Sequence, residues 1–134
     1  MAQEWKIYSL PMDEEFLGTI KYDASLPLFV EGIVLSLIAY PLYSYLAPAY
    51  YRFTLNVDAE NLQDTFLNME DWTKGVVWVN GVNLGRYWNI GPQVTLYLPA
   101  PFLHAGDNEI IVFEEKEAAP ERKLKFEDVP ILQN

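Results

Sequence analysis

The clearest pattern along the chain is a period of two. In Tyr50 to Val57, the residues Tyr51, Phe53, Leu55 and Val57 fall on one side and Tyr50, Arg52, Thr54 and Asn56 on the other, as in a strand with one buried face. Similar short runs predict strands at Trp5 to Leu10, Thr65 to Asn68, Val76 to Val79, Val82 to Tyr87, Val94 to Leu98, Glu109 to Glu115 and Lys123 to Phe126. Pro11 ends the first of these, and Met12 to Gly18 reads as an acidic loop or a single helical turn. Pro99 to Gly106 reads as a turn or brief helix. Asn80-Gly81 separates two apolar, β-branched runs, and this pair best adopts the two positive φ values of a type I′ hairpin. Roughly eight or nine strands at such spacing predict an all-β antiparallel sandwich of the jelly-roll type. No internal repeat or long linker divides residues 1–134, so a single domain is expected.

One segment breaks the pattern. Gly32 to Tyr51 runs twenty residues without a charge. Its length would admit a membrane span, but Pro41, Pro48, two serines and five tyrosines argue against one. Two buried strands, Ile33 to Tyr40 and Leu42 to Leu46, are expected instead. Both faces of the first are apolar, more than a two-layer sandwich needs on its outside. Phe29, Ile33, Leu35, Leu37, Tyr40, Tyr43 and Tyr45 are therefore candidates for an apolar interface or pocket. The cover is open between a neighbouring domain, a homo-oligomeric contact and a hydrophobic small molecule.

The stretches WVNGVNLGRYW, IGPQVTLYLPAPFL and GDNEIIVFE, preceded by DTFLNMEDW, resemble the C-terminal galactose-binding-like β-sandwich of the glycoside hydrolase family 35 β-galactosidases. The likeness is close from Asp64 to Glu114 and looser at Trp5 to Asp13 and Pro48 to Val57. Leu26 to Ala47 departs from it, which together with the Met1 start leaves an engineered derivative as one reading. The resemblance implies an accessory domain that buttresses a catalytic (β/α)₈ barrel or weakly binds carbohydrate. A chain of 134 residues has no space for a barrel of about 250. Retaining glycosidases need two carboxylates about 5 Å apart across the scissile bond. In this family those glutamates belong to the barrel, so no glutamate here inherits their role and no enzyme activity is expected.

Composition narrows the partners. A net charge of −10 disfavours nucleic acid, whose phosphates demand a basic surface, and an anionic membrane face alike. There is no cysteine, which removes disulfides and thiolate metal sites and leaves the compartment open. No basic stretch precedes an apolar core near Met1, so no signal peptide is expected. No cofactor is implied.

Sugars present C–H faces that stack on aromatic rings and hydroxyls that need polar partners. Asn83, Arg86, Tyr87, Trp88, Asn89 and Gln93 supply both within eleven residues, and Trp72 joins from the preceding loop. A galactoside or other carbohydrate is thus the candidate ligand of Trp72, Asn83, Arg86, Tyr87, Trp88 and Gln93. The competing reading makes Trp78, Tyr87 and Trp88 ordinary core aromatics. His104 is the sole histidine and reads as a turn residue, so no histidine triad or two-histidine metal site is expected. Asp58, Glu60, Asp64 and Asp107 are oxygen donors whose spacing matches no EF-hand, and no metal is expected. Asp64 is expected to fix the loop before Thr65. Glu114, Glu115 and Glu117 around Lys116 read as a solvated strand end.

Overall fold

A computed structural model describes residues 12–20 and 48–133. The expected strands at Trp5 to Leu10, Ile33 to Tyr40 and Leu42 to Leu46 lie outside the described residues, as do all seven candidates of the apolar segment.

The first described element is a short helix, α1 (Glu14–Thr19), where the expected helical turn falls. The Asp13 carboxylate caps it by accepting from Phe16 N at 2.9 Å, satisfying one of the backbone donors a helix start leaves open. Seven strands follow: β1 (Ala49–Val57), β2 (Thr65–Asn68), β3 (Lys74–Val79), β4 (Val82–Trp88), β5 (Thr95–Leu98), β6 (Gly106–Glu114) and β7 (Lys125–Glu127). They form a four-stranded sheet, ordered β1-β6-β3-β4, and a three-stranded sheet, ordered β5-β2-β7. Every pairing is antiparallel.

Alternation decides which side chains enter the core. Tyr51, Phe53 and Leu55 of β1, Val77 and Val79 of β3, and Ile110 and Val112 of β6 point from one sheet toward Leu67, Leu96 and Leu98 of the other. Val77, Val79, Ile110, Val112, Leu67 and Leu98 are fully buried. Trp72, 1% exposed, closes one end of this core. Its ring meets Tyr51 and Phe53 edge-on, at centroid separations of 5.4 and 6.1 Å, and its indole N–H donates to Lys123 O at 3.3 Å.

The hairpin turn is as the sequence predicts, with Asn80 at φ 48° and Gly81 at φ 79°. Asn80 does more than turn the chain. Its amide donates to Phe102 O and to Asn108 Oδ1, both at 2.8 Å, and its carbonyl oxygen accepts from Glu109 N at 2.9 Å. Between Val77 and Trp78 the β3–β4 register shifts. This bulge leaves Leu84 packed on the inter-sheet core, and the strand beyond it turns Arg86 and Trp88 outward.

A second, smaller cluster lies on the outer face of the four-stranded sheet. Leu17 of α1 packs there with Trp78 and Ile111, and Tyr50, Val76 and Phe113 surround them. Through Leu17, α1 thus covers Trp78 of β3 and Ile111 of β6 on the face of the sheet turned away from the main core.

Candidate functional site

β4 is an edge of the four-stranded sheet, and its outward residues carry three of the six candidate sugar contacts. Cross-strand register sets Asn83 opposite Trp78, Arg86 opposite Val76 and Trp88 opposite Lys74. Asn83, Arg86 and Trp88 thus form one strip on the outer face, and all three are exposed. Trp88 is 36% exposed. Lys74 Nζ lies over its ring at 5.0 Å from the centroid and pairs with Glu115 at 2.7 Å. One part of the indole is therefore engaged by a cation, an arrangement favoured by the ring quadrupole.

Gln93 follows the turn after β4 and is exposed, its amide donating to Thr95 O at 2.8 Å. Trp88, Asn89, Gln93 and Gln133 border a pit of about 10 Å³, which is one water's worth of space. A pyranose would lie on this surface rather than in it. A larger concavity, about 290 Å³, opens where β1 and β7 part, with Phe53, Leu55, Leu124 and Phe126 as its apolar walls and Arg122 at its rim.

Two of the six candidates face inward. Trp72 lies in the core as described above, and Tyr87 is 4% exposed, so neither offers a ring face to solvent. The alternation of β4 accounts for Tyr87, since neighbouring strand residues point to opposite faces. Burial, and then the adjacent Glu114 carboxylate, push the Tyr87 hydroxyl far above the ordinary phenol range.

The Glu114 partnership corrects the solvated strand end. Glu114 is 1% exposed. It accepts from Thr73 N at 2.9 Å, Lys74 N at 3.1 Å, Lys116 N at 2.8 Å and the Tyr87 hydroxyl at 3.1 Å. Backbone donors here do the work that a cation does for other buried carboxylates. Its oxygens are turned into the protein, not toward a cleft.

The outer face of the three-stranded sheet holds an exposed aromatic that lies apart from the β4 strip. Tyr97, 49% exposed, stands opposite Phe66, and its hydroxyl donates to Asp64 Oδ2 at 2.7 Å. The sequence signal is the Leu96-Tyr97-Leu98 alternation, which leaves the middle ring outside. Asp64 also accepts from Ala100 N at 2.8 Å; that bond first, and Tyr97 second, hold its carboxyl below the usual range. Asp64 does fix its loop, by gripping the end of β5 across the sheet.

His104 lies in the loop between Phe102 and β6, its backbone N–H donating to Asn108 Oδ1 at 2.9 Å. Among the described residues no three His, Asp or Glu side chains gather as a metal site, and no helix is long and apolar enough to cross a membrane.

Comparison with known proteins falls on the same region. Residues 48–108 match the family model described as the galactose-binding domain of β-galactosidase. Human β-galactosidase-1-like protein 2 is 44% identical over 132 residues, covering 97% of this chain and 18% of that protein. Rat β-galactosidase-1-like protein 3 is 55% identical over 74 residues, 55% of this chain and 12% of that protein. Bovine β-galactosidase is 46% identical over 81 residues, 58% of this chain and 12% of that protein. The chain thus spans less than a fifth of the length of these relatives.

Proposed function

We propose, from the match of residues 48–108 to the galactose-binding domain model of β-galactosidases, that the chain is a non-catalytic accessory β-sandwich of a β-galactosidase that contacts carbohydrate through the outer face of β4. The observation that carries this reading is the strip Asn83, Arg86 and Trp88, an exposed ring beside amide and guanidinium donors on one rigid strand. Gln93 extends it past the turn. The strip is open and nearly flat, so the contact is weak and selective for the face of a sugar rather than for its whole outline.

Support for a non-catalytic role comes from Glu114, whose carboxylate is committed to backbone N–H groups. A buttressing role is the second reading. It is favoured by the exposed apolar side chains Val82 at 46%, Ile90 at 65% and Leu132 at 65%, which suit burial against a neighbouring domain. An interaction scaffold acting through Leu28 to Tyr51 rests on residues that lie largely outside those described.

Tryptophan fluorescence titrated with galactose, lactose and a longer galactoside, with glucose as control, tests the reading. A saturable, galactoside-selective change that Trp88→Ala abolishes is expected. No response up to tens of millimolar, well above the roughly millimolar affinity that corresponds to about 4 kcal/mol, would leave the buttressing role. Hydrolysis of a β-galactoside by the pure protein would overturn the non-catalytic assignment.

A further inference from the structure

We propose that the outer face of the three-stranded sheet is a second carbohydrate-contacting surface, in which Tyr97 is the platform for the C–H face of a neutral pyranose and Asp64 receives its hydroxyls. This inference rests on the carbohydrate-contacting reading of the domain and places a site on the opposite sheet from the β4 strip.

The arrangement follows from strand register. Tyr97, Phe66 and Glu127 stand side by side across β5, β2 and β7. The Tyr97 and Phe66 rings are 5.4 Å apart at their centroids and inclined by 41°. Phe66 supports one side of Tyr97, and the bond to Asp64 at 2.7 Å fixes the hydroxyl end. Asp64 is itself held by Ala100 N. A ring secured at both ends has little rotamer freedom left to lose when a ligand arrives, which lowers the cost of binding.

The surroundings select the ligand class. Asp64 is a carboxylate whose oxygens each retain accepting capacity after one hydrogen bond, and two neighbouring sugar hydroxyls are donors that suit them. Glu127, oriented by Asn68 Nδ2 at 2.9 Å, adds a second carboxylate beside Phe66. Two carboxylates on a chain of net charge −10 repel anions. Trp88 carries Lys74 against its ring, whereas Tyr97 has half its surface open, so of the two platforms it is the more accessible.

Saturation-transfer NMR with methyl β-galactoside separates this inference from the reading beneath it. In Trp88→Ala protein the sugar signal is expected to persist, and in Trp88→Ala/Tyr97→Ala protein it is expected to fall by about tenfold. Trp88→Ala/Tyr97→Phe, which keeps the ring and loses the bond to Asp64, should fall between them, with unchanged denaturation midpoints showing that the variants fold. A signal that Trp88→Ala alone abolishes would overturn the Tyr97 surface and leave the β4 strip standing. A signal that survives the double substitution would overturn it too. Saturation of tetramethylammonium without saturation of the sugar would replace it with a cation site. A native protein that gives no sugar signal at all would remove the carbohydrate reading itself.

Discussion

Gly81 shows how one residue type can be required by backbone geometry alone. Its φ of +79° lies where a β-branched side chain is strained. The neighbouring space is not the main obstacle: the nearest atoms a Cβ there would meet belong to the flexible Glu14 side chain, the closest at 3.0 Å. Gly81→Val is therefore expected to cost more than about 1 kcal/mol through the turn conformation. Chemical denaturation checks this, and an unchanged midpoint would contradict it. This turn was fully legible, because Asn-Gly between apolar runs has a local physical meaning. Gly75 was not. It stands in β3 between its register partners Tyr87 and Glu114, and a Cβ would lie 1.7 Å from Phe113 O and 2.7 Å from the Tyr87 hydroxyl. The missing side chain is what lets Tyr87 reach across β3 to Glu114. Only the assembled sheet shows that need.

At the level of elements, strands were readable wherever one face was buried and the other wet. β2 falls where the alternation put it, and β1, β4 and β5 differ from their predicted limits by a single residue. The misread element was the end of β6, where Glu114, Glu115, Lys116 and Glu117 looked like solvent-facing charge. Charge run alone cannot tell a solvated carboxylate from one whose partners are backbone N–H groups of a distant strand. Glu114 joins the end of β6 to the start of β3 through Thr73 N and Lys74 N. Glu114→Ala would leave these donors buried and unpaired, and a loss of about 3 kcal/mol in denaturant is expected. Glu114→Gln, which keeps one acceptor oxygen, should lose less. Equal stability of all three proteins would show that water replaces the carboxylate at no cost. Which face of a strand is wet was also beyond local pattern: α1 covers Trp78 and Ile111, and nothing in the alternation of β3 or β6 announces a helix arriving from elsewhere in the chain.

For the molecule as a whole, the sandwich separates two aromatic surfaces, the β4 strip on one sheet and Tyr97 on the other. The sequence criterion for a sugar site, an aromatic ring beside polar partners within a short window, gathered Trp72 and Tyr87 with Trp88 although strand parity and loop packing send the first two inside. The same criterion passed over Tyr97, because its partner Asp64 lies 33 residues away and only the β2–β5 pairing brings them together. The net charge of −10 favours a neutral ligand over an anionic one, and contact with a neutral sugar should depend little on salt. The most direct test of an accessory carbohydrate-contacting domain is amide chemical-shift mapping by ¹⁵N NMR during titration with methyl β-galactoside. Saturable shifts centred on Asn83 to Trp88, with a second group around Tyr97 and Asp64, are the expected result. Amide positions that do not move at either surface, at sugar concentrations well above millimolar, would contradict it.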